Sequence, residues 1–371
     1  MQRVLRALSI AAAGLLVTAC SGGPTHDDVE SALPPPAVAQ DAPPGSGSLQ
    51  LDAVFAEYSP LSGNSELVRR LLSPLTTAQI RRMLASSGKV MSEQEINLAE
   101  EKFALYVPAH APPQGYALLV FVPPWREAKL PQGWAAVLDQ YGVIFVSAAR
   151  SDNDANTLAR RAPLALIAAQ NVIRRYAVDP QRVYIGGFSG GSRVALRLAL
   201  GYPDVFRGAL LNAGSDPIGD IGHPLPPADL FARFQETARL VYLSGEQDSL
   251  NLATDADSVD SMRRWCVFDV EAQVTHRVGG QPAGHQAADP AALSQALAAL
   301  FNPVKPDPDK LAACRSAVGQ QLEAAFGEAE SLLASGRRDA AQKRLLEIDA
   351  RFGGLAAPRS VELSQAPAPQ S

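Results

Sequence analysis

Continuous apolar runs alternate with amphipathic stretches through the middle of the chain. Residues 117–122 (Ala-Leu-Leu-Val-Phe-Val) and 143–146 (Val-Ile-Phe-Val) contain no polar position, the pattern of strands buried on both faces. The segment between them is of helical length and carries Trp134, Val137 and Leu138. Ala162, Leu166, Ala169, Ile173 and Tyr176 recur at steps of four and three, which predicts a helix ended by Asp179-Pro180. Further strands are predicted at 183–185, 209–211, 240–243 and 270–278. Helices are predicted at about 191–200, closed by Gly201 with Pro203 beyond, and at about 290–300. Strands alternating with helices predict a parallel sheet covered on both faces.

The flanks differ. Between 64 and 100, Leu67, Leu71 and Leu72 share one helical face, as do Ile80, Met83 and Leu84, and Ser92 with Glu95 reads as a capping box. Phe103, Leu105 and Val107 then alternate as a strand. Beyond the sheet region, Leu311, Val318, Leu322, Phe326 and Leu333 form one long helical stripe. Gly336 breaks it, and Ala341, Leu345, Ile348 and Phe352 form a second. A single helical hairpin cannot stand as a solenoid, so it is expected to dock on the main domain, with partner binding as the other reading. The expected division is a leader at 1–19, a Pro-, Gly- and Ser-rich tether at 20–50 and a helical and strand extension at 51–114. The α/β domain follows at 115–304, then the hairpin at 305–356 and a disordered tail at 357–371.

Composition narrows the class. A chain of 371 residues with 47% hydrophobic content sustains a sizeable core. The net charge of −5 and the lack of a basic run argue against nucleic acid as a partner. At the start, Arg3 and Arg6 precede a short apolar run that ends Val-Thr-Ala-Cys at Cys20. This resembles the lipobox of bacterial lipoproteins, which implies lipidation at Cys20 and anchoring in the cell envelope. Ser21, rather than an aspartate, follows the cysteine, so the outer membrane facing the periplasm is the expected address. Cys266 and Cys314 remain. In an oxidising compartment they form a possible disulfide closing a loop of about fifty residues, worth about 4 kcal/mol in the chain-entropy model.

Gly187-Phe188-Ser189-Gly190-Gly191 follows an apolar strand directly and opens an amphipathic helix. That is the setting of a nucleophile elbow, where the serine sits on a sharp strained turn and the flanking Gly187 and Gly191 avoid clashes. The helix start behind Ser189 offers backbone N–H groups, so the Gly190 N–H is a candidate oxyanion donor. A second donor is expected after the 117–122 strand. Pro123 and Pro124 have no N–H, which leaves Trp125, whose other reading is a lid or packing residue.

A serine nucleophile needs a base oriented by an acid. Elbow-bearing α/β-hydrolases order these as serine, acid, histidine. Of five histidines, His276 falls inside a strand pattern, whereas His285 lies in the loop before the last helix and is favoured. Asp248, after the 240–243 strand, is the favoured acid; Glu246 and Asp216 are the substitutes. Asp255, Asp257 and Asp260 are expected to serve surface solvation rather than a cation site. Loops at about 213–237 and 249–263 are expected to line the substrate pocket.

The string Asp-Pro-Gln-Arg-Val-Tyr-Ile-Gly-Gly-Phe-Ser-Gly-Gly at 179–191 resembles the polyhydroxybutyrate depolymerase and feruloyl esterase group of α/β-hydrolases. So do Tyr-Pro-Asp-Val-Phe-Arg-Gly at 202–208 and Ala213-Gly214. The resemblance covers about residues 115–300. It implies an α/β-hydrolase fold, esterase activity on acyl or polyester substrates, and neither metal nor cofactor. The Pro-Pro-Trp loop at 123–125 departs from the longer oxyanion loop of that group, and no polymer-binding module is evident. The expectation is therefore a carboxylic-ester hydrolase working through an acyl-enzyme on Ser189. A peptidase or acyltransferase with the same triad, and a non-catalytic envelope binding protein, are the alternatives.

Overall fold

Eight strands form one sheet: β1 (Ser48–Ala53), β2 (Phe103–Val107), β3 (Tyr116–Val122), β4 (Val143–Ala148), β5 (Val178–Phe188), β6 (Gly208–Asn212), β7 (Arg239–Gly245) and β8 (Val270–Thr275). The computed structural model describes residues 47–220 and 222–366. The leader, Cys20, nearly all of the tether and the end of the tail lie outside the described residues. The spatial order is β1-β2-β4-β3-β5-β6-β7-β8. Only β2 runs against its neighbours; β4, β3, β5, β6, β7 and β8 pair in parallel. The central strands are apolar throughout because helices cover both faces.

The helices are α1 (Asn64–Leu71), α2 (Pro74–Ser86), α3 (Trp134–Tyr141), α4 (Ala162–Arg175), α5 (Gly190–Gly201), α6 (Ala228–Thr237), α7 (Ser249–Arg264), α8 (Pro290–Leu300), α9 (Pro308–Ala334), α10 (Arg338–Phe352) and α11 (Arg359–Gln365). Trp134, Val137 and Leu138 of α3 pack with Leu293 and Leu297 of α8 on one face. On the other, residues of α4, α5 and α6 join one core with Leu67 and Leu71 of α1 and Phe326, Leu345 and Phe352 of the C-terminal pair. Each such large apolar side chain taken from water contributes roughly 1.5–3 kcal/mol.

The C-terminal pair is bound to the sheet domain. The Asp349 carboxylate of α10 accepts from the Leu75 N–H at 2.9 Å and from the Ser73 hydroxyl at the start of α2. Arg315 of α9 donates to Gln235, Glu236 and the Ala232 carbonyl on α6. Cys266, just past α7, is bonded to Cys314 of α9.

Several elements differ from the sequence expectation. β1 begins inside the segment assigned to the tether. Its Leu49 and Leu51 are solvent-exposed, so the strand has no apolar core face to betray it and is held by backbone pairing to β2. Ser92 and Glu95 cap no helix. Instead Glu93 accepts from the Ser65 N–H and hydroxyl in the first turn of α1, and the Ser92 carbonyl accepts from Asn64. The stretches expected as pocket loops contain α6 and α7. α7 escaped detection because its buried face is largely polar: Asn251, Asp255, Ser258 and Ser261 recur at helical steps. Part of the expected disordered tail is α11, where Arg359 bonds Glu323 and Glu330 of α9.

Candidate active site

The turn from β5 into α5 is where the sheet meets the candidate chemistry. Ser189 takes φ 56° and ψ −125°, a strained conformation for a non-glycine residue. Its N–H is tied to the Asn212 carbonyl at 2.9 Å. The turn closes only over small residues. A Cβ on Gly187 would lie 2.3 Å from the Gly191 backbone, and a Cβ on Gly191 would lie 2.0 Å from the Val122 carbonyl oxygen. Both glycines therefore permit α5 to press against β3 and β5.

The structure brings Ser189, His285 and Asp248 together. His285 Nε2 is 3.0 Å from Ser189 Oγ, and its Nδ1 is 2.7 Å from Asp248 Oδ2. The His285 loop is pinned from several sides. The Gln247 N–H donates to the Ala283 carbonyl at 2.9 Å, and a Cβ at Gly245 would meet the Gly284 oxygen at 2.4 Å. Asn212 bridges the layers: its Oδ1 accepts from the Ala288 N–H and its Nδ2 donates to the Leu243 carbonyl. The Phe188 ring lies 5.0 Å from the imidazole, centroid to centroid. Asp248 is buried, which works against its charge. Hydrogen bonds from His285 and Asn251 prevail and hold its carboxyl below the usual carboxylate range.

The other candidate acids and bases are engaged elsewhere. Asp216 accepts from Arg193 at 3.0 Å. Glu246 pairs with His276 at 2.8 Å on the surface. His276 lies just past the end of β8, not inside a strand as expected, and is 74% exposed. Trp125 follows Pro123-Pro124 in the loop after β3. Its ring lies 6.3 Å from Phe188 and carries the Lys129 ammonium 4.4 Å from its centroid. Neither the Gly190 nor the Trp125 N–H finds a backbone acceptor among the described residues. Asn153 stands beside this corner: a Cβ on Gly190 would lie 2.2 Å from its Oδ1.

No model of a known protein family matches the chain. A poly(3-hydroxybutyrate) depolymerase from Ralstonia pickettii is 30% identical over 98 residues, covering 23% of this chain and 20% of that protein. The chain thus spans about a fifth of the length of the curated relative it matches. Among solved structures, a thermostable esterase aligns with a TM-score of 0.42 at 20% identity, covering 56% of this chain and 60% of the other. A ferulic acid esterase aligns with a TM-score of 0.39 at 15% identity, covering 54% and 91%. The decisive observation is the sheet itself, reversed only at β2 and carrying the serine turn after β5. The chain has the α/β-hydrolase fold.

Within this hydrolase fold, sequence reasoning missed two buried residues beside the site, Asn251 and Asp255. Asp255 was expected at the surface. It is instead buried, with Oδ2 accepting from the Ser244 hydroxyl at 2.6 Å. Burial pushes its carboxyl up to about 6, against the opposing effect of Ser244. A carboxyl raised on folding stabilises most below its unfolded value, near 4, and loses that contribution as pH rises through about 6. Asp255→Asn is therefore expected to gain about 1–3 kcal/mol relative to the parent at pH 8 and little at pH 4. Urea unfolding at the two pH values measures this; equal effects at both would show that Asp255 is not carrying the slope. Among the described residues there is no group of three or more His, Cys, Asp or Glu placed to hold a metal ion.

Proposed function

We propose that the protein is a serine carboxylic-ester hydrolase acting through an acyl-enzyme on Ser189. The observation that carries this reading is the unbroken chain of short contacts from Ser189 Oγ through His285 to Asp248. His285 Nε2 takes the hydroxyl proton as Oγ attacks the ester carbonyl. Asp248 accepts the Nδ1 proton, fixing the tautomer and stabilising the imidazolium that forms. The Gly190 and Trp125 N–H groups are assigned as the donors to the developing oxyanion. The imidazolium then protonates the departing alcohol, and a water molecule activated by the same imidazole releases the acid and restores Ser189. Similarity to a named polyester depolymerase and the fold shared with esterases support an ester, of polyester or feruloyl type, as the substrate. The Cys20 motif supports attachment of the chain to the bacterial envelope through a lipid, with the outer membrane facing the periplasm as its address.

A fluorophosphonate probe tests the reading. Intact mass is expected to show one adduct on the wild-type protein and none on Ser189→Ala. A folded wild type that takes no label would instead favour a non-catalytic binding protein on a hydrolase scaffold. With labelling established, a panel of 3-hydroxybutyrate oligomers and feruloyl esters reads the acyl preference.

A further inference from the structure

We propose that Asn251 is a positioning residue of this site, its side-chain amide holding the Asp248 carboxylate, and through it the His285 ring, in register with Ser189. The inference rests on the serine-hydrolase reading above. Asn251 lies in the first turn of α7, three residues after Asp248. Its Nδ2 is 2.9 Å from Asp248 Oδ1 and 2.9 Å from Oδ2, and 3.0 Å from His285 Nδ1. An ionised carboxylate offers no proton, so the amide nitrogen must be the atom that faces it. The Nδ1 proton is directed to Asp248 at 2.7 Å, so the 3.0 Å approach of the amide nitrogen to Nδ1 sets two donors side by side and is not a hydrogen bond; the amide braces the carboxylate, and the ring only through it.

The surroundings make room for this amide. Gly214, with φ +124°, has no side chain where a Cβ would lie 2.4 Å from Asn251 Oδ1 and 3.1 Å from Arg193 Nη1. Asn251 is 6% exposed, so its amide is held by the protein rather than by solvent. The charged and titratable groups around it are Asp248 and His285, Arg193 of α5 with its partner Asp216, and Asp255 one turn on along α7. The exposed Glu246 and His276 pair sits on the neighbouring loop.

Two consequences separate positioning from mere packing. The donated hydrogen bonds fix the plane of the carboxylate, so losing them frees the imidazole to tilt away from Ser189. They also draw negative charge off Asp248. Without them the carboxylate holds the imidazolium more tightly, and a higher pH is needed to free the base. A residue that only filled space would change stability and leave the pH dependence of serine reactivity where it was.

The test uses the full chain and a fluorophosphonate, whose labelling rate reports the activated serine without knowledge of the substrate. Second-order labelling rates are measured against pH for wild type, Asn251→Leu and Asn251→Asp, with thermal unfolding as the check on folding. Asn251→Leu is expected to label about 10–100-fold more slowly, through loss of the amide's hydrogen bonding to a charged group. Its pH midpoint moves upward. Asn251→Asp, nearly identical in shape, adds a carboxylate beside the ring and is expected to raise the midpoint by about one unit or more. A folded variant of either kind with wild-type rate and midpoint overturns the proposal. If Asn251→Leu does not fold, Asn251→Asp decides alone. A wild type that takes no label fails at an earlier point and overturns the serine-hydrolase reading itself.

Discussion

Replacing His285 by alanine is expected to lower kcat for ester hydrolysis about a millionfold, the loss typical when the base of a serine triad is removed. The imidazole is 3.0 Å from Ser189 Oγ, and the other candidate base, His276, is paired with Glu246 on the surface. Among the described residues no other histidine lies within hydrogen-bond reach of Ser189. Residual activity should come from the oxyanion donors and substrate binding alone. Asp248→Asn should lose about ten-thousandfold, because an amide at this position favours the wrong tautomer of His285. Steady-state kinetics on a chromogenic ester, with folding checked by circular dichroism, measures both. A His285→Ala protein that retained more than about a hundredth of wild-type kcat would sink the assignment of the base.

The second large effect belongs to the backbone. Gly191→Ala is expected to cost about 3 kcal/mol or more of stability and to abolish serine labelling in whatever protein folds. The added Cβ would sit 2.0 Å from the Val122 carbonyl oxygen, and that neighbour is backbone of the central strand β3, not the end of a flexible side chain. Relief requires α5 to move off the sheet, which carries the Ser189 turn away from His285. Gly279→Ala offers the contrast. It also replaces a glycine near the site's loops, but nothing lies within 4 Å of the added atom, although its φ of +57° brings some backbone strain. Urea unfolding of both variants checks the argument. Equal destabilisation would mean that backbone strain rather than the close approach of α5 and β3 dominates.

The elements legible along the chain are those whose signals are local. β3, β4, β6 and β7 were visible because a strand buried on both faces cannot hide its composition. The elbow was visible because glycines at 187 and 191, a serine between them and a strand before them form a short contiguous pattern. His285 and Asp248 were reached by chain order, each in a loop after a recognisable strand. What stayed hidden had polar residues facing inward or apolar residues facing outward. β1 shows Leu49 and Leu51 to solvent, and α7 buries Asn251, Asp255, Ser258 and Ser261. Hydrophobic periodicity is blind to both, since it registers burial only when burial and apolarity coincide.

The sequence by itself determined the alternating sheet architecture and the serine turn, because each is written in a few neighbouring residues, and through chain order it pointed to His285 and Asp248 as the candidate partners of Ser189. Only the tertiary structure decided how that triad is supported. Asn212 ties the loop of His285 to β7, Asn251 braces Asp248, and Asp255 lies buried under Ser244. Those residues come from β6 and from a helix with a polar inner face. The partners of Asn212 lie 31 and 76 residues away, and Asn251 and Asp255 meet Asp248 and Ser244 only because α7 turns a polar face inward, so these roles exist only once folding has excluded water and left each buried polar group to find its hydrogen bond within the protein.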